Sequence, residues 1–282
     1  MKRLEGRERF EAYSRSYVAG FRRRSLFADL ESFCMFIGYP FSGHSLIGSL
    51  LDAHPSMAIA HELDALKYVD AGFGRTQLLH LLLANSEEYG RRGRSHEGYS
   101  YGVEGQWQGR FETLSVIGDK KGGMSTLRLR YKPELLGRLE RTMRLPMKVV
   151  HVSRNPYDNI GKMAKRADME APGGPPVGIE RATWRYFSLR ETAEGVLGRR
   201  PPGDVFQLRH EDFIADPSGR LADLCRFLGV EPSERYLAAC ASIVFPEQRR
   251  RREDLEWTPN TIAAVAEGIE HFPSLSGYAY EG

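Results

Sequence analysis

Two short stretches place anion-binding groups at the end of an apolar run. The first is Gly38-Tyr39-Pro40-Phe41-Ser42-Gly43-His44-Ser45, preceded by the apolar segment SFCMFIG. Its spacing is that of a phosphate loop, G-x-x-x-x-G-K-[ST], with His44 where the lysine belongs. Successive backbone N–H groups in such a loop form a nest for an anion, and the following helix aims its positive end at the same point. Ser42 and Ser45 add hydroxyl donors. A tight strand-to-helix turn without a ligand is the plain alternative. The second stretch is MKVVHVSRNPYDNIGKM. It reads as a buried strand that delivers Arg154 to its carboxyl end, where α/β sheets bind ligands. Asn155-Pro156 makes a turn, a helix is expected from about Tyr157, and Lys162 lies further along it. Arginine offers a planar fork for phosphate oxygens and lysine a point charge; a surface arginine in a turn is the alternative.

A nucleoside triphosphatase needs a fixed cation at the position of His44, and an imidazole of ordinary pKa is largely neutral at pH 7. Asp119, at the end of the apolar run SVIG, is a conceivable magnesium-binding acid for that reading. Lys120 and Lys121 follow it and project from the same strand end, or form a charged surface turn. His61 and Glu62 stand together after the run MAIA. Either could take a proton from a reacting hydroxyl, with burial expected to raise the pKa of Glu62, or they could be surface residues at a helix start. Trp107, flanked by Gln106 and Gln108, could shape a pocket or pack in the core; Trp184 and Tyr186 are weaker candidates for stacking on a base.

These residues need a sheet to position them, and the apolar pattern supplies one. Strands are expected at Ser32–Gly38, Met57–Ala60, Ser115–Gly118, Met147–Ser153 and Val205–Leu208. Helical spacing follows the first loop (Leu46, Ile47, Leu50, Leu51, ending at His54-Pro55). It recurs over Arg75–Ala84, Leu135–Met143, Arg181–Leu197 and Ser218–Leu228. Alternating strands and helices imply an α/β fold: a P-loop-like parallel sheet with helices on both faces, in a single domain. The expected division is a charged helical extension over residues 1–31 and the domain proper over 32–282. Arg91–Tyr101 and the proline- and glycine-rich Ala171–Gly178 resist regular structure; the latter is a connector or a flap over a site.

The composition fits a soluble globule: 282 residues, 41% hydrophobic and 27% charged. A net charge of +3 is too small to argue for nucleic acid. No apolar run is long enough to span a bilayer, and the charged N-terminus does not read as a secretory signal. Cys34, Cys225 and Cys240 are far apart, odd in number and set in apolar stretches, so buried free thiols and a cytoplasmic setting are expected.

Three blocks, GYPFSGHSLIGSLLDAHP, VSRNPYDNI and QLRHEDFIADPSGRLADLCRFLGV, resemble the sulfotransferases that use 3′-phosphoadenosine 5′-phosphosulfate (PAPS); the tail WTPNTIAAVAEGIEHFPSLSGY adds to the likeness. The resemblance implies transfer of a sulfuryl group from PAPS to a hydroxyl or amine, leaving adenosine 3′,5′-bisphosphate (PAP), with no metal required. It implies that Phe41, Ser42, Gly43, His44, Ser45 and Leu46 line the 5′ side of the nucleotide and that Arg154 binds the 3′-phosphate, with Lys162 beside it. One of Arg249, Arg250, Arg251 and Arg252 would add a second arginine there. The family loop commonly has lysine or arginine where this chain has Phe41, and usually serine where it has Lys162. With Phe41 in the loop, His44 and Lys120 become the candidate cations near the transferred group. Glu62 is the favoured base and His61 the second choice. The acceptor is a small molecule, glycan or peptide. Two rival readings remain: a P-loop kinase or nucleotidase using ATP and magnesium, and a non-catalytic nucleotide-binding protein, which Phe41 favours.

Overall fold

The run SFCMF forms β1 (Ser32–Phe36), and all five of its residues are buried. Side chains of a strand alternate between faces. Phe33 and Met35 therefore enter one core and Cys34 and Phe36 another, on opposite sides of the sheet. A strand buried on both faces reads as a continuous apolar run, as parallel strands covered by helices do.

The computed structural model describes residues 3–96, 98–170, 178–247 and 250–281. In chain order its first half contains α1 (Gly6–Arg22), β1, α2 (His44–Leu51), β2 (Met57–His61), α3 (Ala65–Asp70), α4 (Arg75–Arg91), β3 (Ser95–His96) and β4 (Tyr99–Ser100). Then come β5 (Val116–Lys120), α5 (Gly122–Tyr131), α6 (Glu134–Met143), β6 (Met147–Ser153), α7 (Pro156–Glu170) and α8 (Gly178–Leu197). The last elements are β7 (Val205–Arg209), α9 (His210–Ala215), α10 (Pro217–Phe227), α11 (Glu234–Ala241) and α12 (Pro259–Glu270). Five strands form a parallel sheet in the order β2-β5-β1-β6-β7. One face packs on the α4 and α6 core (Leu78, Leu82, Leu135, Leu139), the other on α2, α10 and α11 (Ile47, Leu224, Tyr236). The expected α/β architecture with helices on both faces is what the chain adopts.

Several boundaries move, each for a physical reason. β2, β5 and β7 each run past their apolar stretch to His61, Lys120 and Arg209. Backbone pairing does not require an apolar side chain, and His61 pairs with Lys120 in register. α4 continues through the polar NSEEYGR because Ser86 donates to the buried Asp52 (2.7 Å) and Asn85 accepts from His61 N (2.6 Å). Arg91–Tyr101, expected to be irregular, contains the last residue of α4 and the antiparallel pair β3–β4. Strands of two residues carry no readable period. Residues 171–177 of the expected loop lie outside the described residues.

α1 lies along α4, where Gly20 meets the Thr76 carbonyl so closely that a Cβ would stand 2.5 Å from its oxygen. Gln77 Nε2 donates to Tyr13 O (3.0 Å) and fixes the crossing. The three cysteines are buried free thiols. Among the described residues, no helix is long and apolar enough to cross a membrane.

Candidate active site

The loop between β1 and α2 is held from both sides. Gly38 N donates to Thr126 Oγ1 of α5 (2.8 Å), and Asn159 Nδ2 of α7 donates to Pro40 O (2.6 Å). Ser42 Oγ donates to Tyr39 O (3.0 Å) within the loop. Gly43 takes φ +97, and a Cβ there would stand 2.5 Å from His210 Nδ1, so the position excludes other residues on conformation and on space. Phe41 takes φ +66, a region costly for a bulky side chain. His44 opens α2, buried edge-on against Phe36 with Ser42 Oγ 3.2 Å from its Nδ1. Burial, with His151 and Lys120 nearby, holds the His44 pKa well below its ordinary value. That direction favours the neutral imidazole and speaks against the cation expected at His44.

At the ends of β2 and β5 a charge cluster faces this loop. Lys120 is 3% exposed, and its Nζ donates to Ser45 Oγ (2.9 Å) and to Glu62 Oε1 (2.9 Å). Lys121 Nζ donates to Glu62 Oε2 (2.8 Å). Burial raises the Glu62 pKa, but the two ammonium groups outweigh it and hold the carboxyl below its usual range. This reverses the expected direction. Burial lowers the Lys120 pKa, with the Glu62 carboxylate opposing it.

The turn beyond β2 takes positive φ at Glu62 (+64) and Asp64 (+69). Arg128 fastens Asp64 by a two-pronged ion pair (2.7 Å at each oxygen), and Asp119 accepts from Leu63 N (3.2 Å) and Ala65 N (2.7 Å). Burial raises Asp119 to about 7. Its oxygens are thus used to hold the backbone that presents Glu62. His61 points elsewhere, its ring stacked on Tyr89 at 3.9 Å.

At the end of β6, Arg154 lies 3.9 Å from Asp158 of α7. Asn155 Oδ1 accepts from Tyr157 N (3.0 Å), which starts the helix, and Glu211 accepts from Asn155 N (2.9 Å). Of the four arginines expected nearby, Arg251 donates to Tyr99 Oη of β4 and pairs with Asp254 (3.5 Å). Arg252 is buried, its backbone N–H on Asp158 (3.0 Å) and its guanidinium on the carbonyls of Ala279 and Tyr280. Arg250 is exposed beside Glu253, and Arg249 lies outside the described residues.

One cavity of about 920 Å³ joins the two ends. Phe41, Gly43, His44, Ser45, Leu46, Glu62, Lys120, Lys121, Arg154, Lys162 and Arg251 all contribute to its wall. Ser42, His61, Asp119, Arg250 and Arg252 do not.

The sequence profile of the sulfotransferase family matches residues 35–234, well over half of the chain and both ends of this cavity. The chain belongs to the sulfotransferase family. It is an enzyme family whose members transfer sulfuryl groups, and solved structures share the fold. Sulfotransferase STF1 from Mycobacterium tuberculosis H37Rv is 13% identical over 89% of this chain and 81% of its own, with a TM-score of 0.52. Sulfotransferase STF9 from Mycobacterium avium is 14% identical over 94% and 84%, with a TM-score of 0.50. A mouse sulfotransferase complexed with PAP is 12% identical over 88% and 87%, at 0.46. At these identities the likeness to the two mycobacterial proteins is one of fold. Among curated proteins, none matches the sequence.

In this sulfotransferase the remaining sequence candidates fall outside the cavity wall. Trp107 packs beneath Arg110 and donates its backbone N–H to Ala53 O (3.1 Å). Trp184 is 66% exposed and Tyr186 fully buried, and neither reaches the cavity. Sequence reasoning missed His210. It opens α9 at the end of β7, lines the cavity, and has a buried Nδ1 with no hydrogen-bond partner among the described residues. Burial and the nearby Arg154 lower it to about 3. Its signal was present: HED directly after a strand, a third polar group at a strand end. Tyr99 and Tyr101 were missed because β4 brings them to the cavity from a stretch without pattern.

Proposed function

We propose that this sulfotransferase takes PAPS as donor and passes its sulfuryl group to a hydroxyl or amine of an acceptor bound in the same cavity. The observation that carries this reading is one cavity with cationic side chains at two places, Lys120 beside the Gly38–Ser45 loop and Arg154 with Arg251 at the other end. A donor with phosphate on both the 5′ and 3′ positions uses both. Buried polar groups need partners, and the His210 Nδ1 in the same wall has none among the described residues, which suits a polar nucleotide.

When bound, PAPS supplies a sulfuryl group activated by its phosphate leaving group. The chain's own residues do the rest. The loop N–H groups and Ser45 hold the 5′ side, and Arg154 and Arg251 the 3′-phosphate. Glu62 takes the acceptor proton at a carboxylate oxygen. Its two lysines keep it ionised and aimed, and weaken it as a base. Lys120 adds positive charge beside Ser45. The magnesium-dependent kinase reading loses support at two points: burial disfavours a charged His44, and the Asp119 oxygens hold backbone N–H groups.

The test is thermal stabilisation by PAP beside ADP and ATP–Mg²⁺. A ligand at about 100 times its Kd adds about 2.7 kcal/mol to stability. The expected result is a clear upward shift of Tm with PAP and a small one with ADP. A shift with ATP–Mg²⁺ alone would move the protein to the kinase class. Affinity for PAP without turnover of PAPS on any acceptor would make it a binding protein.

A further inference from the structure

The Gly38–Ser45 loop has no lysine or arginine of its own. Phe41 and His44 flank Ser42-Gly43, and burial favours the neutral form of His44. Charge moving onto a leaving phosphate oxygen is stabilised by a cation placed in advance. Lys120 stands on one side of the loop, but its charge is shared with Glu62. The other side is formed by α7. Asn159 fastens α7 to the loop through Pro40 O (2.6 Å). Lys162 is one turn further on the same helix face, and its Nζ stands 5.7 Å from the centre of the Phe41 ring. An aromatic face attracts an ammonium within about 6 Å. Both residues line the cavity.

We propose that Lys162, docked on the Phe41 ring, supplies the cation for the 5′-phosphate side, so that a residue of α7 and an aromatic of the loop together act as one basic loop residue. This rests on the donor reading above, and it moves Lys162 away from the 3′-phosphate. The acceptor oxygen or nitrogen forms its bond to sulfur as the sulfur–oxygen bond to the 5′-phosphate breaks. The bonding electron pair stays on the phosphate oxygen, and the acceptor proton goes to Glu62. Lys162 neutralises the charge gathering on that oxygen.

Binding separates the two placements of Lys162 without any acceptor. Affinities of PAP, adenosine 5′-monophosphate and adenosine 3′-monophosphate are measured by calorimetry, directly or by displacement of PAP. Lys162→Met is expected to weaken PAP and the 5′-monophosphate about tenfold, one charge-assisted contact, and to leave the 3′-monophosphate unchanged. The pair Phe41→Lys with Lys162→Ser is expected to restore both affinities and the rate of PAP release from PAPS. Loss of the 3′-monophosphate with the 5′-monophosphate unchanged would put Lys162 at the other end and overturn the proposal. So would unchanged affinity for all three, or failure of the paired variant to restore them while it still melts cooperatively. All three outcomes leave the donor reading standing. A wild-type protein that binds PAP no better than ADP would overturn that reading and the proposal with it.

Discussion

β5 and β6 flank the central strand, a basic residue ends β5 and another follows β6, and both line the cavity, yet they are paired differently. Lys120 at the end of β5 is tied at hydrogen-bond distance to a carboxylate that a second lysine also holds. Arg154 at the end of β6 has Asp158 at 3.9 Å, and Arg251 shares its wall of the cavity. At the β5 end two lysines and one carboxylate form a single cluster at hydrogen-bond distance. At the β6 end the arginines meet their aspartates at longer range, 3.9 Å for Arg154 and 3.5 Å for Arg251. On the proposed reading the β5 end is the reacting end and the β6 end the anchoring end, and the contrast lies in how tightly each cation is paired.

Variants at each end sharpen or break that contrast. The largest effect is expected from Glu62→Gln, which keeps the shape of the β5 end and removes the proton acceptor. Turnover should fall about 10²–10⁴-fold with PAP affinity nearly unchanged. Equal turnover in single-turnover assays of PAP release would take the base role from Glu62. Next comes Arg154→Ala at the anchoring end. PAP affinity should drop by about 2–3 kcal/mol, roughly 30- to 150-fold, for a lost charge-assisted partner, and titration calorimetry reads it. Unchanged affinity would erase the distinction between the ends. Arg251→Ala should cost about tenfold in the same titration, while Arg250→Ala, exposed beside Glu253, should cost nothing.

A smaller, pH-dependent effect follows from the histidines. His44, His151 and His210 are buried with lowered pKa values, His151 and His210 to about 3. An unfolded histidine titrates near about 6.5. Between those values the unfolded chain binds more protons, so stability is lost as pH falls from about 6.5 toward 3. Asp119, raised to about 7, and the raised Asp52 oppose this by taking up protons in the folded chain first, but the three histidines outnumber them, so Tm is expected to decline below pH 6.5. The depressed Glu62 also predicts turnover with no acid limb down to about pH 5. A limb centred near pH 6 to 7 would point instead to a histidine as base.

Much of the sheet was legible because its strands are buried on both faces and therefore read as apolar runs, as Ser32–Phe36 and Met147–Ser153 do. The ends were less so. His61, Lys120 and Arg209 belong to strands by backbone pairing although they are polar, so the apolar pattern stops one or two residues early. Arg154 and the Gly38–Ser45 loop could be named from local spacing alone, because a glycine nest and a strand-end arginine are local devices. Tyr99 could not, since what brings it to the cavity is a bond to Arg251 more than a hundred residues away.

The sequence by itself determined the parallel α/β fold, the glycine-bearing loop between β1 and α2 and the arginine at the neighbouring strand end, because each is encoded by residues adjacent in the chain. Only the tertiary structure decided the protonation of the site. The His44 pKa is lowered because helices and strands distant in sequence bury it, and that of Glu62 because the β5–α5 junction sets two lysines against it. Which of the described arginines after residue 249 reaches the cavity, and that Lys162 lies over Phe41, were settled there too. Charge state and contact depend on what surrounds a group in space, and that environment is assembled only when the chain has closed on itself.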